Sequence, residues 1–206
     1  VLTGGVAAGL QLGLPYLRRR VFNYLSDSGP PSSGVGKNPA LWFEFTDNNQ
    51  LHLHVPKVEM GQGIHTALGQ IAAEELEVSW TEVQVLQAGT LIGPNDNFGT
   101  GGSASVSSLY EPLRQLAANY RSMLAAAASE TLGEKVILSD GVFRSTNGSS
   151  MTLAAAARLD REWTLPEEDV QLKPASEFLL IGKPMPRTDL RDMLTAIPRY
   201  AYDMRS

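Results

Sequence analysis

The sequence contains no cysteine. This absence excludes disulfides, thiolate nucleophiles, and cysteine-ligated zinc or iron–sulfur centres from this chain. Any redox centre must therefore be held by oxygen or nitrogen contacts, or lie in a partner chain.

Positive charge is also scarce, because 17 Lys and Arg residues stand against 22 Asp and Glu residues, which gives a net charge of −5. No basic stripe is available to neutralise phosphates, so nucleic acid is excluded as the partner. What is present is typical of a globular protein: 206 residues with 43% hydrophobic and 19% charged residues. This length allows one large domain or two small ones.

Histidine occurs only three times, at His52, His54 and His65. His52 and His54 are expected on one face of a strand, where they could ligate a metal, but no third ligand is evident nearby. We therefore predict no metal ligands. A stand-alone metal-binding protein that uses the three histidines is a further hypothesis, and metal analysis of the chain tests it.

The amino-terminal residues 1–17 carry no charge and are followed by Arg18, Arg19 and Arg20. Four glycines, a glutamine and a proline interrupt this stretch, so it fits a spanning helix of about 20 apolar residues poorly. It is interpreted as the end of an export signal or a membrane-proximal segment, with a short surface helix or buried arm as the alternative. Residues 26–39 are a Gly/Pro/Ser linker. Residues 1–39 are thus predicted to form an arm and linker of a periplasmic protein, in or near the inner membrane.

Residues 40–160 are predicted to form an α+β domain portion, with α/β layers and two long helices on a small mixed sheet. A hairpin pairs residues 41–46 with 51–55, and a βαβ unit links 51–55 through a helix to the strand at 83–86. The helix places Glu74, Glu75 and Glu77 on its solvated side. A second helix runs to Leu132 and stops at Gly133. Short strands at 136–138 and 141–144 and a Thr152-capped helix over 153–159 follow.

Residues 161–206 are punctuated by prolines and are predicted to be an extended arm that leads to a following domain or a partner chain. The prolines lie at 166, 174, 184, 186 and 198.

The segment Gly61-Gln62-Gly63 lies where a strand hands over to a helix. Glycine permits positive φ and a close approach of the backbone to a bound group. Gln62 offers an amide donor and acceptor at this point, and the helix amino terminus is expected to present unpaired N–H groups to an anionic or oxo ligand. The alternative is a tight turn with nothing bound.

Several motifs occur together in one order, and their order resembles that of a known family. They are Glu59-Met60-Gly61-Gln62-Gly63 with Thr66, Glu74-Glu75-Leu76, Thr100-Gly101-Gly102-Ser103, Glu111-Pro112-Leu113-Arg114-Gln115, and the run from Leu179 to Asp189. The sequence over about 40–206 resembles the amino-terminal part of the molybdenum-binding subunit of the xanthine oxidase superfamily. It is most similar to the branch of isoquinoline 1-oxidoreductase β-subunits and membrane-bound aldehyde dehydrogenases.

This resemblance implies a molybdopterin cofactor, commonly the cytosine dinucleotide form. It implies oxidation of an aldehyde or N-heterocycle with water, and electron transfer to [2Fe–2S] clusters in a separate small subunit, with a cytochrome c subunit as a further partner. Gln62 matches the glutamine that hydrogen-bonds an oxo ligand of molybdenum, and Gly61 and Gly63 would lie against the cofactor. The loop of Thr100, Gly101, Gly102 and Ser103 would shape its cavity.

The same resemblance limits what this chain is expected to do. The family's glutamate base would lie beyond its end, so no catalytic residue is predicted here, and Glu59 is interpreted as a turn or supporting residue. The residues at 193–196, Met-Leu-Thr-Ala, depart from the family's Lys-Val-Thr-Gly junction. The chain is expected to act with the remaining portion of the molybdenum-binding protein. A non-catalytic assembly or membrane-anchoring module is the alternative.

Overall fold

A computed structural model describes residues 38–89, 93–94 and 99–196. The predictions for the arm and linker at 1–37 lie outside the described residues. So do parts of the loop at 89–105 and the last residues of the extended arm.

The first sheet has the order β1-β2-β3, formed by Phe43–Phe45 (β1), Leu51–Val55 (β2) and Val83–Gln87 (β3). β1 and β2 are antiparallel, whereas β2 and β3 are parallel and joined through the helix Ile64–Leu76 (α2). The hairpin and the βαβ unit predicted from the alternating pattern are both confirmed.

The predicted first strand began too early, because Pro39–Trp42 form a short helix (α1). The Asn38 side chain accepts a hydrogen bond from the Ala40 N–H at 3.0 Å, and Pro39 occupies the first helical turn. An Asn cap followed by proline favours helix initiation, and this local signal outweighs the strand propensity of the two residues that follow.

The longest helix is Ser105–Leu132 (α3), and it ends as predicted at Gly133, where φ is +75°. The hydrophobic residues predicted to share one face of this helix are buried in the core against α2. They are Leu109, Leu113, Leu116, Tyr120, Met123, Leu124 and Ala127.

A second, antiparallel sheet contains Val136–Ser139 (β4), Val142–Ser145 (β5) and Ser150–Thr152 (β6). The third of these strands was not predicted. Thr152 caps Leu153–Ala157 (α4) as expected, since its Oγ1 accepts from the Ala155 N–H at 3.1 Å, although the helix ends earlier than 159.

The chain from 158 to 189 contains only one short 3₁₀ turn, Ala175–Glu177, and is followed by the helix Leu190–Leu194 (α5). We call residues 169–189 the return segment, because they lie along α2 and α3, as shown below. The fold class is α+β, as predicted. Among the helices described, none combines the length and apolar character needed to cross a membrane.

The prediction that Glu74 and Glu75 are solvated is wrong, because their exposed fractions are 2% and 0%. Helical periodicity placed them opposite the face that packs on the sheet, but the return segment and α3 cover that side. Glu75 pairs with Arg114 at 2.6 Å, and Glu74 accepts backbone hydrogen bonds from the return segment.

Candidate functional site

Two loops that are distant in sequence lie side by side at one end of the first sheet. The Val58 N–H donates to Thr100 Oγ1 at 2.8 Å, and the Lys57 ammonium donates to the Gly99 carbonyl. Lys57 is only 2% exposed. We name residues 58–63 the Gln62 loop and residues 99–103 the Thr100 loop. The structure therefore brings together the two segments that the sequence singled out.

The Gln62 side chain folds over its own loop. Its Oε1 accepts from the Met60 N–H at 2.5 Å, and its Nε2 donates to the Val58 carbonyl at 2.8 Å. A primary amide carries two N–H groups on nitrogen, so one donor of this exposed side chain remains directed to the surroundings.

The amino terminus of α2 does not offer its N–H groups to an external anion, which corrects the sequence-based expectation. The Glu59 carboxylate accepts from the N–H groups of Gly61 and Gly63, both at 2.9 Å, and from that of His65 at 3.2 Å. A carboxylate at this position is stabilised by the positive end of the helix dipole. Glu59 thus acts as an internal anion that shapes the turn.

Both glycines of the Gln62 loop have left-handed backbones, with φ of +98° at Gly61 and +81° at Gly63. A Cβ atom at Gly61 would meet no atom within 4 Å, so this side of the loop is open. The same openness holds at Gly101 and Gly102 in the Thr100 loop. Each loop therefore presents bare backbone to a large neighbouring group.

The Thr100 loop leads directly into α3. Gly101, Gly102 and Ser103 are exposed, and no side chain caps the helix amino terminus that follows. Ser103 has φ of +55°, a conformation that costs free energy for a residue with a side chain. The loop is held at its start by Thr100 rather than by contacts of its glycines.

The return segment supplies a residue that sequence reasoning missed. Arg187 Nη1 donates to the Gly61 carbonyl at 2.9 Å, while its Nε and Nη2 donate to Asp189 at 2.8 and 2.7 Å. Arg187 Nη2 also lies 3.6 Å from Glu59 Oε1. The resemblance had marked Arg187 and Asp189 only as part of a junction.

The three histidines do not converge on a metal. His54 pairs with Glu44 at 2.9 Å, and His65 Nε2 lies 2.9 Å from the Lys57 carbonyl. Across the described residues, no group of three or more His, Asp or Glu side chains is arranged to hold a metal ion. The geometry gives the stand-alone metal-binding hypothesis no support.

The hydrogen bonds from Arg187 hold the pKa of Asp189 below its usual value of 3.8, and burial opposes this shift. Because the folded-state pKa is lowered, the stabilisation is present above the unfolded-state pKa and is lost as the pH falls through the folded-state pKa. We expect Asp189→Asn to reduce the dependence of the melting temperature on pH between about pH 4 and about pH 2. Thermal unfolding of both proteins across this range checks this, and identical pH profiles would contradict it.

Comparison with known proteins places these observations in a family. The model of a family described as the molybdopterin cofactor-binding domain matches residues 21–189. The chain is 31% identical over 186 residues to a nicotinate dehydrogenase of Pseudomonas putida, in the larger polypeptide that the match identifies, and the aligned part covers 86% of this chain and 16% of the relative.

Two further relatives match parts of the same sequence. Membrane-bound aldehyde dehydrogenase [pyrroloquinoline-quinone] of Gluconacetobacter polyoxogenes is 29% identical over 194 residues, which cover 88% of this chain and 24% of the relative. The β-subunit of isoquinoline 1-oxidoreductase from Brevundimonas diminuta is 39% identical over 64 residues, 31% of this chain and 8% of that relative. The chain therefore spans less than a quarter of the length of these curated relatives.

Proposed function

Because this chain belongs to the molybdopterin cofactor-binding domain family, within the molybdenum-binding subunits of the xanthine oxidase superfamily, we propose that its Gln62 and Thr100 loops form one wall of the cofactor site in a molybdenum oxidoreductase. The single observation that carries this proposal is the convergence of the two loops through the Val58–Thr100 hydrogen bond. Motifs separated by about 40 residues serve one surface.

The residues present suit such a cofactor. The outward donor of Gln62 is a neutral N–H group, which suits a metal oxo ligand because it cannot lose its proton at working pH. The open backbone at Gly61, Gly101 and Gly102 leaves space that a Cβ atom would fill. When bound, the cofactor supplies a two-electron oxidation in which water provides the oxygen atom.

This chain's own residues have binding and orienting roles in the proposal. Gln62 hydrogen-bonds the cofactor, Gly61 and Gly63 let the backbone lie against it, and the loop of Thr100, Gly101, Gly102 and Ser103 shapes the cavity. Glu59 is committed to three N–H groups of its own turn, so it is assigned no proton-transfer role. The acid–base residue belongs to the part of the enzyme outside this chain.

The complete enzyme would oxidise an aldehyde or N-heterocycle and pass electrons to [2Fe–2S] clusters. The names of the relatives, a nicotinate dehydrogenase, an aldehyde dehydrogenase and an isoquinoline oxidoreductase, support this substrate class. The clusters would lie in a partner subunit, since this chain has no cysteine to ligate them. We extend the proposal to the cytosine dinucleotide form of the cofactor, the remainder of the molybdenum subunit, a cytochrome c partner and a periplasmic location.

Substitution of Gln62 in the intact complex tests the proposal. Gln62→Glu preserves an acceptor for the Met60 N–H but removes the outward amide donor. Loss of one such hydrogen bond is expected to reduce turnover about tenfold. Turnover and molybdenum content per complex, the latter from elemental analysis, are the measurements.

Gln84→Ala is the matched control, because Gln84 is exposed on β3 and its change is expected to leave both quantities unaltered. If Gln62→Glu leaves turnover and metal content unchanged, the cofactor role is refuted. A purified complex without molybdenum would instead favour the assembly or anchoring alternative.

A further inference from the structure

A polar stripe on α2 binds the return segment along the length of the helix. Thr66, Gln70 and Glu74 follow each other at intervals of four residues and so share one face of the helix. Their side chains all hydrogen-bond backbone groups of the return segment. The segment is therefore held by its backbone at three levels of the helix.

The strongest attachment is at Glu74. Its Oε2 accepts from the N–H groups of Leu179, Leu180 and Ile181 at 2.9, 2.6 and 3.1 Å. Its Oε1 lies 3.4 Å from Lys173 Nζ. A buried carboxylate with this many donors fixes the position of the backbone because charge-assisted hydrogen bonds are short and strong.

The other two levels set the direction of the segment. Gln70 Nε2 donates to the carbonyls of Leu180 and Lys183 at 2.9 and 3.0 Å. The Thr188 N–H donates to Thr66 Oγ1 at 3.1 Å. The segment thus runs from Glu74 towards the amino terminus of α2, antiparallel to the helix, and reaches the Gln62 loop at Arg187.

At that end the Gln62 loop is fixed on two sides. Glu59 binds its N–H groups from within, and Arg187 binds the Gly61 carbonyl from the return segment. Asp189 holds the guanidinium with two parallel hydrogen bonds, a geometry that restricts its rotation. The Arg187 Nη1 atom would also lie 3.5 Å from a Cβ atom at Gly63, so it packs closely on the turn.

We propose that Arg187, oriented by Asp189, is a positioning residue that holds the Gln62 loop in the conformation in which Gln62 faces the cofactor. This inference rests on the proposed function of Gln62, although the mechanical part of it concerns this chain alone. Arg187 has no contact with the reacting atoms in this proposal; it acts through the Gly61 carbonyl.

Hydrogen exchange of the intact complex, followed by mass spectrometry, tests the mechanical part. In Arg187→Ala, the amides of Gly61, Gly63 and His65 are expected to exchange about tenfold faster, because the loss of a charge-assisted hydrogen bond lets the loop open locally. Exchange in the centre of α3 is expected to stay the same. Asp189→Asn should show the same pattern with a smaller increase, since the guanidinium loses only its orientation.

Arg191→Ala is the matched control, because Arg191 is an exposed arginine four positions further along the chain. It is expected to leave loop exchange unaltered. Unchanged exchange at Gly61 and Gly63 in Arg187→Ala would overturn the proposal, and so would an equal increase throughout α2 and α3, which would indicate general destabilisation.

The electron paramagnetic resonance signal of Mo(V) in the same complexes tests the link to the cofactor. The signal is expected to change in Arg187→Ala and in Gln62→Glu, but not in Arg191→Ala. Faster loop exchange with an unaltered signal in Arg187→Ala alone would overturn the positioning role and leave the role of Gln62 standing. An unaltered signal, turnover and metal content in Gln62→Glu would refute the proposed function, whatever the exchange shows.

Discussion

Replacement of Glu75 by alanine is expected to destabilise the protein by about 3–5 kcal/mol, because it leaves a buried guanidinium without its partner. Glu75 is fully buried, and its Oε1 accepts from Arg114 Nε at 2.8 Å and lies 2.6 Å from Arg114 Nη2. Arg114 is itself only 8% exposed, so water cannot readily replace the carboxylate. Urea unfolding of the purified protein, followed by far-ultraviolet circular dichroism, measures this difference.

The rest of the Arg114 environment makes rescue by rearrangement unfavourable. Its guanidinium also donates to the Lys173 carbonyl at 2.6 Å and lies over the rings of Tyr110 and Phe178. Glu111→Ala, an exposed position on the same helix, is the control and should cost less than about 0.5 kcal/mol. Equal stabilities of the two variants would show that the buried pair contributes nothing beyond an exposed glutamate.

Replacement of Glu74 by alanine is expected to release the return segment from α2 and to cost about 2 kcal/mol of unfolding free energy. Three consecutive N–H groups and Lys173 lose their common acceptor, whereas the hydrophobic core beneath them is untouched. The effect on global stability is therefore smaller than for Glu75, because the freed N–H groups can turn to water once the segment detaches.

Limited trypsin digestion measures this release directly. Lys173 and Lys183 are each followed by proline and resist trypsin, so cleavage after Arg187 reports on the segment. We expect cleavage there to be about tenfold faster in Glu74→Ala than in the unaltered protein. Glu177→Ala, an exposed position within the segment, is the control. Identical cleavage rates in all three proteins would contradict the role assigned to Glu74.

The local architecture could be predicted from the sequence wherever a short-range pattern decided it. Alternation predicted the β1–β2 hairpin, apolar spacing predicted the buried face of α3, and glycine marked the end of that helix at Gly133. Each of these features depends on residues a few positions apart. The first residues of the predicted strand at 41–46 failed for a local reason as well, since the Asn38 cap and Pro39 start a helix there.

Part of the candidate site could also be predicted. Gly61 and Gly63 are left-handed, as a turn at this position requires, and the Thr100 loop lies beside the Gln62 loop. The expected anion site at the helix amino terminus was wrong because Glu59, two residues before Gly61, reaches back to the same N–H groups. A glutamate just before a Gly-x-Gly turn is the signal that could have indicated this.

The buried glutamates show most clearly where sequence reasoning failed. A run of glutamates opposite an apolar helix face normally indicates a solvated side. Here that side is covered by residues about 100 positions later, and α3 contributes Gln115 and Asn119 to the same attachment through the Val170 carbonyl and N–H groups. The resemblance identified these motifs but did not show that they hold the return segment.

The fold class, the absence of any cysteine-held redox centre and the family of the chain all followed from the amino-acid sequence, because composition, short-range spacing and motif order are properties of the chain alone. That Glu74, Glu75 and Arg187 act on the return segment and the Gln62 loop emerged only from the folded structure. Their partners are 39 to 126 residues away, and no local pattern encodes which distant backbone will cover a helix face or reach a turn.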